Sequence, residues 1–337
     1  MFQLKEDFSL INHNTFGLNV QTKYFITCNS VDDICDFISI HYKKSLPLMV
    51  LGGGSNVLFV SDFEGYILKP DIQGIEMSNE TKEFVEIRVG AGEDWDELVN
   101  YCVEKDWGGI ENLSLIPGNV GTSPIQNIGA YGVEVKDVIT SVETIEMETL
   151  KKFKFRNSEC EFAYRDSIFK RKLKGKHIIT HVCFRLKKQP DFKLDYGNLK
   201  LKLAEYGSVD LEHIRKAVVE IRESKLPKPE DIGNAGSFFK NPIIEKNHAE
   251  RIQKDHPELP LYVLNNGKVK IPAGWLIEKA GFKGKKVGNI GVHEKQALVI
   301  VNYGNATGEE ILHLAKNIQQ AVIILFEIEL DMEVNIV

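Results

Sequence analysis

The sequence contains no Cys-x-x-Cys pair, and its cysteines (Cys28, Cys35, Cys102, Cys160 and Cys183) are odd in number and widely spaced. That pattern excludes a disulfide framework and a cysteine-ligated structural zinc, and it suits a reducing cytoplasm. No apolar run approaches the roughly 18 residues that a membrane-spanning helix needs. The opening MFQLKEDFSLINHNTFG has neither the basic start nor the apolar segment of a signal peptide. No membrane association is therefore expected. The Gly-x-Ser-x-Gly elbow of α/β-hydrolases and the His-Glu-x-x-His of zinc peptidases are both missing, so neither a hydrolase triad nor a catalytic metal is expected. His177 and His181, four apart in a strand-like run, read as structural. A surplus of basic charge is also missing. The net charge is −6, whereas neutralising phosphates requires clustered Lys and Arg, so nucleic acid is not an expected partner. The one basic run, FKRKLKGKH at 169–177, reads as a solvated loop. Internal repeats and low-complexity tracts are absent.

What remains is a globular composition of 337 residues, 43% apolar and 27% charged, too long for one ordinary core and expected to form two or three domains. SVDDICDFISIHY starts with a capping pattern, Ser30 with Asp33, and carries Ile34, Phe37 and Ile38 at helical spacing. VEIRVGAG alternates Val85, Ile87 and Val89 as a half-buried strand would, and EDWDELVNYCVEKDWGG reads as a helix stopped by Gly108 and Gly109. Strands TSVETIEME and KHIITHVCFRLKK flank CEFAYRDSIFK. A charged helix, DLEHIRKAVVEIRESK, leads into the prolines of LPKPEDIGN, where a domain boundary is expected near 226–233. In the last third, Thr307 with Glu310 starts a helix whose apolar stripe is predicted as Ile311, Ala315, Ile318, Val322 and Leu325.

Two glycine systems carry the first functional signal. LGGGSN, Leu51 to Asn56, ends a strand in glycines, which makes either a tight turn or a cradle of backbone N–H groups for an anion. ENLSLIPGNVGTSPIQNIGAYG, from Glu111 to Gly132, is too long and glycine-rich for a simple connection. It supplies Gly118, Gly121, Gly129 and Gly132, the donors Thr122, Ser123 and Asn127, and in Tyr131 a flat aromatic that could line a ring. Two donor-rich loops of this kind can clamp the two ends of a dinucleotide.

Three further residues stand out. In YRDS, Arg165 either pairs with a neighbouring carboxylate such as Asp166 or presents its planar fork to a substrate carboxylate. In GNAGSFFKNP, Ser237 precedes Phe238 and Phe239 with no histidine nearby to act as its base, which argues against a nucleophile. Glu333, in LDMEVNIV, stands in an apolar strand with alternating Val334 and Ile336 after it and reads as a partly buried carboxylate that needs a partner.

LGGGSNVLF, IPGNVGTSPIQNIGAYG, YRDSIF, SKLPKP, GNAGSFFKNP, PAGWLIEKAGFKG and QALVIVNYGNAT follow one another in an order that resembles the UDP-N-acetylenolpyruvoylglucosamine reductase (MurB) family. The resemblance runs from about Asn14 to Glu333. It implies an α+β protein of three domains. Residues 1–70 and 71–225 form an FAD-binding part of the vanillyl-alcohol-oxidase type, residues 226–329 bind the UDP-sugar, and a final strand at 330–337 returns to the first part. FAD, non-covalently held, is implied at Gly53, Gly54, Ser55, Asn56, Pro117, Gly118, Gly121, Thr122, Ser123, Asn127, Gly129, Ala130 and Tyr131. Arg165, Ser237 and Glu333 fall on the catalytic positions. Tyr164, Tyr196, Lys225, Asn241, Tyr262 and Gln296 fall on substrate positions, and Tyr196 with Tyr262 places the chain in the longer, type I subclass.

The implied reaction passes hydride from NADPH through FAD to the enolpyruvyl carbon C3 of UDP-N-acetylglucosamine enolpyruvate, with Ser237 protonating C2 and Phe238 and Phe239 fixing its hydroxyl. A cytoplasmic monomer of peptidoglycan synthesis is expected. One departure is at the C-terminus, where Asp331 replaces the family's glutamate and Asn335 its arginine.

Overall fold

In β structure, alternate residues face opposite sides, so Val85, Ile87 and Val89 must share one face of their strand. The computed structural model, which describes residues 2–337, buries all three within the strand Phe84–Gly90. That strand lies in a five-stranded antiparallel sheet, in the order Lys152–Arg156, Ile139–Glu146, His177–Lys187, Phe84–Gly90, Ile75–Glu80. The register sets Val182 against Val89 on one side and against Val142 on the other, which builds a continuous apolar face. The helix Trp95–Glu104 covers it with Trp95, Leu98, Val99, Cys102 and Val103. Its start is fixed by Asp94, whose carboxylate accepts the N–H groups of Asp96 and Glu97. His177 bonds Thr144 at 2.9 Å and His181 lies 3.8 Å from Glu143, in keeping with structural roles.

The chain divides into two units. The first comprises residues 1–8, 22–53 and 64–224, and the second 9–21, 54–63 and 225–337. Beside the five-stranded sheet, the first unit holds a four-stranded sheet in the order Gln3–Ser9, Gln21–Cys28, Phe63–Pro70, Leu48–Val50. The helix Val31–Asp36 packs Ile34 into its core, its N-terminus capped as expected by Ser30. The helix Leu211–Lys225 carries Ile214, Ala217, Val218 and Ile221 into a further apolar cluster with Leu199 and Leu203.

The second unit is built on a sheet ordered Gly233–Ser237, Val299–Asn302, Ile290–Val292, Lys286–Val287, with a smaller sheet of Ile243–Ile244, Val269–Lys270 and Tyr262–Val263. The helix Gly308–Phe326 begins in the Thr307 and Glu310 capping box read from the sequence. Ile311, Ala315, Ile318 and Val322 are buried as predicted, but Leu325 is 57% exposed and Phe326 completes the stripe. Four residues on from Val322, Phe326 continues the inward row, whereas three residues on points Leu325 to solvent. The chain end returns to pair Asn335–Ile336 in parallel with Val57–Leu58. No helix of the described residues is long and apolar enough to cross a membrane.

Close backbone approach dictates one glycine of GNAGS. A Cβ on Gly233 would lie 2.2 Å from the Phe16 carbonyl oxygen. Gly233→Ala is therefore expected to cost about 1–3 kcal/mol through overpacking, read as a lowered melting temperature. A melting curve identical to that of the parent protein would show that the contact relaxes freely.

Candidate active site and its flavin cradle

Within the first unit, Gly52 and Gly53 of the first glycine system meet the second. A Cβ on Gly53 would fall 3.1 Å from the Gly118 Cα, and one on Gly52 2.5 Å from the Thr122 side chain. Gly121 is equally confined, 2.6 Å from the Ala91 side chain by the same construction. Only residues without a side chain allow the backbones so near. The second loop is stiffened from inside. The Trp95 N–H donates to the Gly118 carbonyl at 2.9 Å, the Val120 N–H to Glu93, and the Asn119 amide to Gly92 at 2.7 Å. The Thr122 and Ser123 hydroxyls donate to the carbonyls of Asn119 and Val120. The N–H groups of Gly53, Gly54 and Gly118, by contrast, have no protein acceptor among the described residues. Pro117, next to Gly118, cannot add a donor.

Left-handed backbone is concentrated in the same region. Leu115, Asn127, Tyr131 and Arg165 all have φ between 47° and 59°, a conformation that non-glycine residues rarely adopt and that is stored where surrounding contacts enforce it. Arg165 sits with Tyr164 at the tip of a tight hairpin closed by paired bonds between Ala163 and Asp166. Asn127, fully buried, clamps this hairpin by donating to the Ala163 carbonyl at 3.0 Å and to Glu134, while accepting from the Lys136 N–H. The Ser167 hydroxyl adds a 2.6 Å bond to the Ile125 carbonyl. Arg165 itself donates to the Gly129 carbonyl at 2.7 Å and lies over the Tyr164 ring. The Asp166 carboxylate is engaged by Arg171 at 2.8 Å and by the Ser167 N–H.

At the far end of the loop, beyond Ala130, the rings of Tyr131 and Tyr196 meet edge to face with centroids 6.3 Å apart. Burial pushes the Tyr131 hydroxyl up, against a lowering influence from the Arg222 charge. The Tyr131 carbonyl accepts from the buried Asn112 amide.

The second unit brings Ser237 and Glu333 close together. Phe238 and Phe239 are fully buried and anchor the strand that carries Ser237. On one side the Phe238 N–H donates to Leu298; on the other the Phe238 carbonyl accepts the Glu333 N–H at 2.8 Å. Met332 bridges to Phe239, and the Lys240 N–H donates to Asp331. Beyond Glu333, Asn335 donates through both its backbone and its side chain to the Asn56 carbonyl, at 3.2 and 2.9 Å. This residue, standing where the family pattern has arginine, thus ties the chain end to the segment after Ser55. Val334 is buried, while Ile336 is 38% exposed. Among the described residues no side chain hydrogen-bonds the Ser237 hydroxyl. Asn241 accepts the Ala273 N–H at 2.9 Å, and Gln296 accepts from Leu298. Tyr262 is half-exposed with the Lys270 ammonium 5.9 Å from its ring centroid, and Lys225 ends the helix Leu211–Lys225.

Unengaged N–H donors at Gly53 and Gly118, whose backbones close on one another, fit a phosphate-bearing dinucleotide. In agreement, residues 22–148 match the FAD binding domain family. An α+β fold with such a cradle and a separate C-terminal unit defines an FAD-dependent oxidoreductase. Residues 228–337 match the family described as UDP-N-acetylenolpyruvoylglucosamine reductase, C-terminal domain. Relatives of that name from Bacteroides fragilis and Flavobacterium johnsoniae are 46% and 45% identical, each over 99% of this chain and 100% of their own. The reductase structure from Thermus caldophilus has the same fold at a TM-score of 0.70 and 22% identity, covering 100% of this chain and 98% of that one. The chain belongs to the UDP-N-acetylenolpyruvoylglucosamine reductase family.

Sequence reasoning missed the ion pair that supports the loop from behind. Arg215 forks onto Asp96 at 2.6 and 2.9 Å, and Asp96 also accepts the Leu115 N–H at 2.5 Å. Burial disfavours the ionised carboxylate, but the Arg215 fork, the Leu115 N–H and the Arg222 charge together hold Asp96 below the usual carboxylate range. A carboxylate depressed on folding adds stability above its unfolded value, about 3.9, and loses that stability as pH falls through the folded one. Asp96→Asn is expected to cost about 1–3 kcal/mol at neutral pH. The gap between the melting temperatures of parent and variant should close as pH falls below about 4. A gap that stays constant with pH would remove Asp96 from this role.

Proposed function

We propose that this enzyme reduces UDP-N-acetylglucosamine enolpyruvate to UDP-N-acetylmuramate in peptidoglycan precursor synthesis, with NADPH as hydride donor. The observation that carries the reading is the pairing of Ser237 and Glu333 in one unit, the serine having no base, in a chain of this reductase family. FAD, when bound, would supply the redox chemistry by which hydride passes from NADPH to substrate carbon C3. Gly53, Gly54, Ser55, Asn56, Pro117, Gly118, Gly121, Thr122, Ser123, Asn127, Gly129, Ala130 and Tyr131 form the FAD region. Within it the glycine N–H groups meet the phosphates, Asn127 positions the Arg165 hairpin, and Tyr131 lines the ring.

Hydride arrival at C3 leaves negative charge on C2 that spreads into the adjacent substrate carboxylate. Arg165 meets that charge with a guanidinium held in place by Gly129 and Asn127; the loss of one such donor costs about 3–4 kcal/mol in other enzymes. Ser237 gives its proton to C2. A hydroxyl is a weak acid, but a carbanionic centre is basic enough to take its proton when the geometry is tight. A serine with no hydrogen-bonded base suits a donor and not a nucleophile. Glu333, set beside the serine strand, is the third catalytic residue. Lys225 meets the diphosphate as a point charge, Asn241 and Gln296 contact the sugar and diphosphate, and Tyr164, Tyr196 and Tyr262 close over the substrate.

Along the chain, residues 1–70 and 71–225 hold FAD and residues 226–329 the UDP-sugar, with 330–337 returning to Val57–Leu58. The enzyme works as a cytoplasmic monomer away from membrane and nucleic acid, the last of these supported by the net charge of −6. Sedimentation velocity should give one species near 38.1 kDa; a dimer boundary would rule out the monomer.

Ser237→Ala separates the two half-reactions. Flavin reduction by NADPH, followed by stopped-flow absorbance, should keep its rate within about twofold. Re-oxidation by substrate should slow by roughly 100-fold or more, within the range of a general acid. Equal slowing of both steps would exclude Ser237 as the proton donor.

A further inference from the structure

Pairing across the larger sheet of the second unit changes step within GNAGS. Asn234 stands opposite Val301, but Ser237, three residues on, stands opposite Val299, only two residues back along the partner strand. One residue more on this strand than on its partner is a β-bulge. Val299 and Val301 share a face of their strand, so Asn234 and Ser237 share that face too, although in a regular strand a spacing of three puts two side chains on opposite faces. Without the bulge the alternation reverses, and Phe238 takes the face that Ser237 now holds. The bulge therefore decides which face carries the hydroxyl.

Asn234 builds this irregularity with its side chain. Its Oδ1 accepts the Gly236 N–H at 3.0 Å, which closes a turn over Ala235, and Gly236 takes the left-handed conformation at φ 66°. Its Nδ2 donates to the Ile232 carbonyl at 2.8 Å and to the Pro227 carbonyl at 3.2 Å, and its backbone N–H donates to the Thr15 carbonyl at 2.9 Å. Both polar atoms of the amide are thus engaged, in a residue only 4% exposed. A buried amide bonded solely to backbone fixes the path of the chain. Here that path is the step that ends at Ser237 and the segment that follows Lys225. Gly236 is needed for its φ alone, since a Cβ there would meet nothing within 4 Å.

We propose that Asn234 is a positioning residue for the reaction, its amide holding the bulge that sets the Ser237 hydroxyl on the face from which it gives its proton. This rests on the reading of Ser237 as proton donor given above. Asn234 takes no part in the proton transfer itself and acts only through the serine.

The test sets Asn234→Ala, Ser237→Ala and the double variant side by side as FAD-loaded enzymes, with each half-reaction followed by stopped-flow absorbance. Asn234→Ala should keep flavin reduction by NADPH within about twofold and slow re-oxidation by the enolpyruvyl sugar roughly ten- to a hundredfold, the loss that a misplacement of about 1 Å produces. The double variant should be no slower than Ser237→Ala, because the two residues act as one unit. Amide hydrogen exchange across residues 233–239, measured without substrate, should quicken in Asn234→Ala as the bulge loosens. Gly236→Asn, which tolerates left-handed backbone, should re-oxidise faster than Gly236→Ala, and this pair reads the bulge even where Asn234→Ala fails to fold. Equal slowing of both half-reactions, unchanged re-oxidation, unchanged exchange, or equal rates in the two Gly236 variants would overturn the positioning role while leaving Ser237 as donor. A double variant slowed by the product of the two single losses would do the same. Unchanged re-oxidation in Ser237→Ala would overturn both readings.

Discussion

A backbone N–H that is to serve a ligand must be withheld from every acceptor in the protein, and that is costly unless all the groups around it are satisfied. The second glycine loop is braced by side chains, although the amide oxygens of Asn112 and Asn119 are themselves buried without a hydrogen-bond partner among the described residues. Asn112 and Asn119 donate to backbone carbonyls, and Thr122 and Ser123 close their own turns. Asp96 takes the Leu115 N–H, and Asn127 joins the loop to the hairpin that carries Arg165. The left-handed backbone at Leu115, Asn127, Tyr131 and Arg165 is the conformational consequence. Such strain persists only where the neighbourhood over-determines it, and here each residue lies in or against one loop.

The second unit solves a different problem, that of holding a small hydroxyl still. Ser237 is too short to be fixed by its own packing, so its strand is fixed instead. Phe238 and Phe239 are buried directly after it, and Gly233 lets the strand pass against the Phe16 carbonyl. The returning chain end is bonded to Phe238 and Lys240 on one side and to Asn56 on the other, which sets Glu333 beside the serine strand. The same ladder gives Asn335 a clear structural use at the position where the family pattern has arginine.

Local chemistry was the most legible part of the sequence. The Thr307 and Glu310 capping box, the Ser30 cap and the buried alternation of Val85, Ile87 and Val89 all depend on neighbours a few residues away. The glycine loops were legible as loops, because glycine at such density has few other uses. Leu325 was misplaced because three-residue and four-residue spacings both look helical, and only the packing decides that Phe326 turns inward. The Asp96–Arg215 pair spans 119 positions, so no local pattern could announce it.

The central claim is that this chain passes hydride from NADPH to an enolpyruvyl sugar by way of bound FAD. The most direct measurement is anaerobic absorbance spectroscopy of the purified protein near 450 nm, on the order of where oxidised flavins absorb. The account predicts a yellow protein that bleaches on adding NADPH and recovers its colour with UDP-N-acetylglucosamine enolpyruvate, but not with the saturated product. A protein that recovers equally with both compounds, or with neither, would contradict it.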